Sequence, residues 1–225
     1  MLFNSWEFGI FFVVVFCLYH TLSLRGQNLL LLLASYFFYG WWDWRFLSLL
    51  WISTLVDFTV ARAMDGNEGR RRKILLLASI ATNLGILGFF KYFNFFVDSA
   101  AVAIEAMGFQ PHLPVLRVIL PVGISFYTFQ TMAYTIDVYR GRIRPTDRPL
   151  LFAIYVSYFP QLVAGPIERA QHLLPQFARK RCVDQKMFAS GCVLILLGYV
   201  RKVVIADGVA EQVNVAFADP GATSG

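Results

Sequence analysis

Two neighbouring stretches, LPVGISFYTFQTMAYTIDVYRG at 120–141 and AIYVSYFPQLVAGPIER at 153–169, decide what kind of chain this is. Both are apolar enough for a bilayer, and both are interrupted. Pro121 and Gly123 break the first; Pro160, Gly165 and Pro166 break the second. Proline removes a backbone donor and clashes with the preceding turn, and hydrocarbon holds no water to satisfy the groups set free. Such a segment must find its partners in neighbouring protein or along a water-lined cavity. The same stretches carry Ser125, Gln130, Tyr134, Asp137, Gln161, Glu168 and Arg169, more polarity than a lipid anchor holds. They point to a site or passage inside a membrane protein.

The rest of the composition agrees. Of 225 residues, 57% are hydrophobic and 15% charged, against roughly 25% charged in soluble domains. Mean hydropathy is +0.57. The fold class expected is all-α, a polytopic transmembrane helical bundle with broken or re-entrant helices, forming a single membrane domain over 1–225. The formal charge of +6 is gathered in short loops, as orientation in a membrane produces, so nucleic acid is not an expected partner. Cys17, Cys182 and Cys192 have no zinc spacing. Cys17 and Cys192 sit in apolar runs, where buried thiols act as small hydrophobes; no metal is indicated. Glu7 precedes the first apolar run, with no basic segment or small-residue cleavage site, so that run reads as a retained helix.

Apolar runs predict spans at 8–24, 26–42, 46–61, 74–90, 118–136 and 187–206, with 149–167 treated separately. Tyr and Trp in SYFFYGWWDW, at 35–44, suit a membrane–water interface. Asp57 interrupts the third span; an acid at that depth faces the bundle as a structural partner for an arginine, or else lies near an interface. Asn83, Gly85 and Gly88 suggest close helix packing. After Lys91, YFNFFVDSAAVAIEAMGF at 92–109 reads as a separate amphipathic interfacial helix.

Arg70, Arg71, Arg72 and Lys73 mark a cytoplasmic loop, and parity then brings Arg140, Arg142, Arg144 and Arg148 to the same side, with the amino terminus outside. Arg169, Arg179, Lys180 and Arg181 follow the 149–167 run and belong on that side too. One crossing would put them outside, and 19 uncharged residues cannot cross twice at ~20 residues each. A re-entrant or broken segment resolves the conflict, as its prolines and glycine suggest independently.

LPVGISFYTFQ and YTIDVYRG, followed by SYFPQLVAGPIERAQHLLPQF, resemble the membrane-bound O-acyltransferase family, in the bacterial branch of the alginate O-acetyltransferase membrane subunits. SWEFGIFF and SYFFYGWWDWRF extend the likeness over nearly the whole chain. The resemblance implies an amino-terminal portion of that fold, in a bacterial inner membrane. It implies transfer of an acyl group, acetyl by the closer likeness, from cytoplasmic acetyl-CoA or an acyl carrier to hydroxyls of an envelope polysaccharide. No bound cofactor is implied; a periplasmic or extracellular partner protein is. The family's catalytic histidine would lie beyond residue 225.

Among residues present, His172 follows the GPIER turn and is the nearest candidate base, although RAQHLLPQFARKR reads more simply as an interfacial amphipathic helix. His20 reads as an interhelical or interfacial residue and His112 as a loop residue. Gln130, Tyr134 and Asp137, at i, i+4 and i+7, share one helix face. With Ser125, Gln161, Glu168 and Arg169 they are the candidate substrate path. The same face can instead bind a neighbouring helix, with Asp137 paired to Arg140 at i+3. Two rival classes fit the residues: a transporter or channel-like subunit, since broken helices also serve transport, and a non-catalytic scaffold of a polysaccharide-modifying complex.

Overall fold

The computed structural model describes residues 1–108, 118–163 and 165–218. His112 lies outside them. The described residues are helical, without strands: α1 Trp6–Thr21, α2 Leu24–Asp43, α3 Leu47–Met64, α4 Gly69–Ala106, α5 Ile124–Tyr139, α6 Pro149–Ser157, α7 Phe159–Leu162, α8 Ala170–Ala178, α9 Gln185–Tyr199 and α10 Asp207–Ala218. Two compact units divide them, one of Met1 with Ile10–Lys180, the other of Leu2–Gly9 with Arg181–Gly225.

In the first unit the faces of the helices are arranged polar-in and apolar-out. On α2, Leu29, Leu33, Phe37 and Trp41 form an exposed stripe at four-residue spacing, while Gln27, Asn28 and Ser35 are buried. On α3, Ser53 and Asp57 are buried while Trp51, Ile52 and Leu55 are exposed. On α4, Ser79 and Asn83 are buried, with Ile74, Leu77 and Leu84 outward. Water would favour the reverse; lipid favours this arrangement, because polar groups there must satisfy one another. Three helical runs, Leu24–Met64, Gly69–Ala106 and Gln185–Val215, are long and apolar enough to cross a membrane. Trp41, Trp42 and Trp44 are exposed at the turn between α2 and α3, whereas Phe38 and Tyr39 are core residues. Within that turn the Asp43 carboxylate accepts from the backbone N–H and guanidinium of Arg45.

Helix α4 differs from expectation. Its 38 residues run unbroken through Lys91, so the 74–90 span and the helix expected after Lys91 are not separate elements. No helix breaker stands at the junction KYFNFF, and one charge on an exposed face does not end a helix. At 1.5 Å per residue it extends about 57 Å. Nor do Gly85 and Gly88 bring a neighbour close: a Cβ on either would meet nothing within 4 Å. Among the described residues Asp57 has no arginine partner; Ser79 Oγ donates to it, and Asn83 Nδ2 donates at 2.8 Å. Thr131 Oγ1 of α5 lies 3.4 Å from Asn83 Oδ1. This polar knot joins α3, α4 and α5 and replaces the expected glycine packing.

Helix α5 ends in a turn that decides a second correction. Gly141 takes φ +69°, Gly141 N–H donates to Val138 O at 3.0 Å, and Arg142 N–H reaches back to Asp137 O at 2.9 Å, the paired bonds of a Schellman cap. The reversal carries residue 142 over Asp137, so the ion pair is Asp137–Arg142, at 3.3 Å, and not Asp137–Arg140. Arg72 of α4 closes the same end, donating to Val138 O at 2.8 Å and lying over the Tyr139 ring.

In the second unit, the helical run over α9 and α10 passes through a π-helical segment, Val200–Ala206. Tyr199 Oη donates to Phe3 O at 2.7 Å, and Lys202 pairs with Asp207. The three cysteines are exposed, so Cys17 and Cys192 are outward-facing residues and not buried ones.

Candidate functional site

The site is built around a helix that stops and restarts. Helix α6 begins with Pro149 in its first turn, where a missing N–H costs nothing. It ends at Ser157, and α7 takes only Phe159–Leu162. Nine residues of α6 span about 14 Å, under half of a hydrocarbon core of about 30 Å. Pro160 cannot donate to Val156 O, and the break at Tyr158 also separates Phe159 N–H from Tyr155 O. Both freed groups are taken up by other helices. Ser35 Oγ of α2 accepts from Phe159 N–H at 3.1 Å, and Gln130 Nε2 of α5 donates to Tyr155 O at 2.7 Å. The Tyr155 hydroxyl stands 3.3 Å from the carbonyl oxygens of both Gln130 and Glu168. Each of these ties meets the requirement that buried backbone groups be paired.

Two more contacts hold the segment in place. Gly123, at φ +75°, caps the start of α5, and a Cβ there would lie 2.6 Å from Leu162 O of α7. Asn28 Nδ2 of α2 donates to Phe177 O near the end of α8 at 3.0 Å. Between α7 and α8, Gln161 Nε2 donates to Pro166 O at 3.2 Å, closing the loop on itself. Beside that loop opens a recess of about 560 Å³ whose polar lining is Gln161, Glu168, His172 and Gln176, with Tyr158 and Pro160 beside them.

Of the residues singled out from the sequence, Gln161, Glu168 and His172 share this recess. Gln130, Tyr134 and Asp137 do share one face, and it is buried. Gln130 is bonded to α6; the Tyr134 ring meets Phe152 at 4.6 Å and its hydroxyl accepts from Thr146 N–H at 3.0 Å. Asp137 is held by Arg142. That face packs on a neighbouring helix. Ser125 is half-buried in the first turn of α5, away from the recess lining, and Arg169 is exposed at the start of α8. His172 is exposed on α8, whose Leu173 and Phe177 are buried, as an amphipathic helix requires. His20 is exposed at the end of α1, its ring edge-on to Phe16 at 4.6 Å. Among the described residues no group of His, Cys, Asp or Glu has the arrangement to hold a metal.

Sequence reasoning missed Asn28 and Ser35. The signal was present: two polar residues seven apart, hence on one face, in an otherwise apolar helix.

Outward apolar faces, an inward polar lining and a broken helix satisfied by its neighbours define a polytopic membrane protein with a recess beside the break. Comparison with known proteins adds named relatives. No family model matches the chain, and no solved structure does. Over its full length the chain is 41% identical to a Pseudomonas aeruginosa protein named "Probable alginate O-acetylase AlgI" and 40% identical to the protein of that name from Pseudomonas putida. Over 96% of its length it is 32% identical to the "Peptidoglycan O-acetyltransferase" of Helicobacter pylori. The chain is thus similar, over all or nearly all of its length, to proteins named for O-acetylation. It spans 44%, 47% and 46% of these three relatives, a little under half of each.

Proposed function

We propose that the protein acts as a membrane O-acetyltransferase on an extracytoplasmic polysaccharide, with alginate or another envelope glycan as acceptor. The observation that carries this reading is the similarity, over 96% or more of the chain, to proteins named for O-acetylation of two different glycans. In this reading the donor is a thioester on the cytoplasmic side, acetyl-CoA or an acyl carrier. A base removes the acceptor hydroxyl proton as its oxygen attacks the thioester carbonyl; the tetrahedral intermediate then expels the thiolate, which takes up a proton. Hydrogen-bond donors at the carbonyl oxygen stabilise the charge that develops there.

The basic clusters at 70–73, 140–148 and 179–181 support an inner-membrane orientation with the amino terminus outside. The base belongs, on this reading, to a residue outside 1–225, and His172 serves as polar lining of the recess beside Glu168 and Gln161. An extracytoplasmic partner protein completes delivery to the polymer.

The test uses membranes carrying the protein expressed from its own gene, with labelled acetyl-CoA on the cytoplasmic side and label followed into envelope glycan. Label in glycan is the expected outcome, retained within about twofold in His172→Ala. Loss of at least a hundredfold in that variant, at unchanged protein level, makes His172 the base, since removing a general base costs roughly 10²–10⁴. No label with envelope partners present refutes acetyl transfer and returns the broken helix to a transport role.

A further inference from the structure

A second recess, of about 530 Å³, lies where the loop after α5 meets α6 and α8. Its floor is apolar, with Leu151 of α6 and Leu174 of α8; its rim is basic and polar, with Arg144, Thr146, Arg148 and Gln171. Neighbouring cations are neutralised: Arg142 pairs with Asp137 and Arg62 with Asp147, the acidic group of this rim. Among the described residues, Arg144 and Arg148 have no ion pair, and both are exposed.

Backbone charge adds to theirs. Helices α6 and α8 both start beside the recess, with Arg148 and Arg169 at their caps. Neither has a side-chain cap or an acidic residue in its first turn. Uncapped helix starts carry partial positive charge and free N–H donors. With Asp147 turned to Arg62, two guanidinium groups and two helix starts around one hollow favour a further anion among them. The fork of an arginine matches the oxygens of a phosphate in pairs. An apolar floor under a cationic rim, at the end of a membrane bundle, fits a phosphate carried on an apolar tail.

We propose that this recess binds a phosphate group, and that the group is the headgroup of an anionic phospholipid. The proposal goes beyond acetyl transfer and stands or falls separately from it. The phosphate can also come from solution, and the experiment separates the two sources. The protein expressed from its own gene is reconstituted in nanodiscs of phosphatidylcholine with or without phosphatidylglycerol, and retained lipid is read by native mass spectrometry. In a second arm, inorganic phosphate is titrated onto lipid-free protein in detergent. Variants are Arg144→Gln, Arg148→Gln, the double variant, and Arg25→Gln, which removes the same charge at an exposed position outside the recess lining.

Retention of phosphatidylglycerol over phosphatidylcholine is expected, falling roughly tenfold with each recess arginine removed and unchanged in Arg25→Gln. Equal loss in Arg25→Gln overturns the site, because it means general surface attraction alone. Binding of inorganic phosphate with the same arginine dependence, without lipid selectivity, keeps the phosphate site and overturns the lipid assignment. Absence of arginine-dependent binding in both arms overturns the proposal. Circular dichroism of each variant verifies that the helices are intact.

Discussion

Gly123 and Gly141 offer an internal control for how the broken helix is held. Both adopt nearly the same left-handed backbone, φ +75° and +69°, but their surroundings differ. At Gly141 an added Cβ meets nothing within 4 Å; at Gly123 it falls 2.6 Å from the backbone oxygen of Leu162. Alanine at either position incurs the left-handed penalty, about 1–2 kcal/mol for an L-residue. Only at 123 must a backbone also move, and overpacking of this kind costs about 1–3 kcal/mol more. Gly141→Ala is therefore expected to destabilise by about 1–2 kcal/mol, and Gly123→Ala by about 2–5 kcal/mol, from the sum of the same two terms. Because the opposing atom is a main-chain oxygen of α7, relief requires displacing α7 from the start of α5. The assay is denaturant titration in detergent followed by far-ultraviolet dichroism. A protease probe at the 163–169 loop is read in parallel and should report earlier cleavage in Gly123→Ala alone. Equal losses in the two variants, with equal cleavage, would refute the close approach of α7 to α5.

Three further outcomes follow from the same contacts. Ser35→Ala and Gln130→Leu each orphan one backbone group of the break, Phe159 N–H and Tyr155 O, at about 1–3 kcal/mol apiece; a double variant no worse than either single one would mean the groups had other partners. Asp57→Ala strips two hydrogen bonds from the knot shared by Ser79 and Asn83 and is expected to lower the unfolding midpoint more than Asp57→Asn, which keeps an amide oxygen to accept. The reverse order would disprove a structural role for that carboxylate. Arg72→Ala uncaps the end of α5, costing about 1–2 kcal/mol, within the range for a hydrogen bond from a charged group plus the helix-end charge; a Lys substitution should recover part of the loss, measured in the same titration.

Much was legible before any coordinates. Proline at 160 and glycine at 165 in an apolar run forecast a broken segment, and the structure ends α6 at Ser157. Gln130, Tyr134 and Asp137 were assigned to one helix face from spacing alone, and that face is buried. Partnerships were harder. Asp137 bonds Arg142 because Gly141 turns the chain back, a geometry that i+3 spacing on a continuing helix does not contain. Asp57 bonds Ser79 and Asn83, which are 22 and 26 residues away along the chain.

Composition and period, then, determined by themselves that this chain is an all-helical membrane bundle with an interrupted helix, because hydropathy and backbone satisfaction are local and additive along the sequence. Which side chains complete the interrupted helix was decided only by tertiary structure. Ser35 and Gln130 reach the break from helices far away in sequence. The two recesses exist only where separate segments come together, and no local pattern records which distant residue will face a given carbonyl.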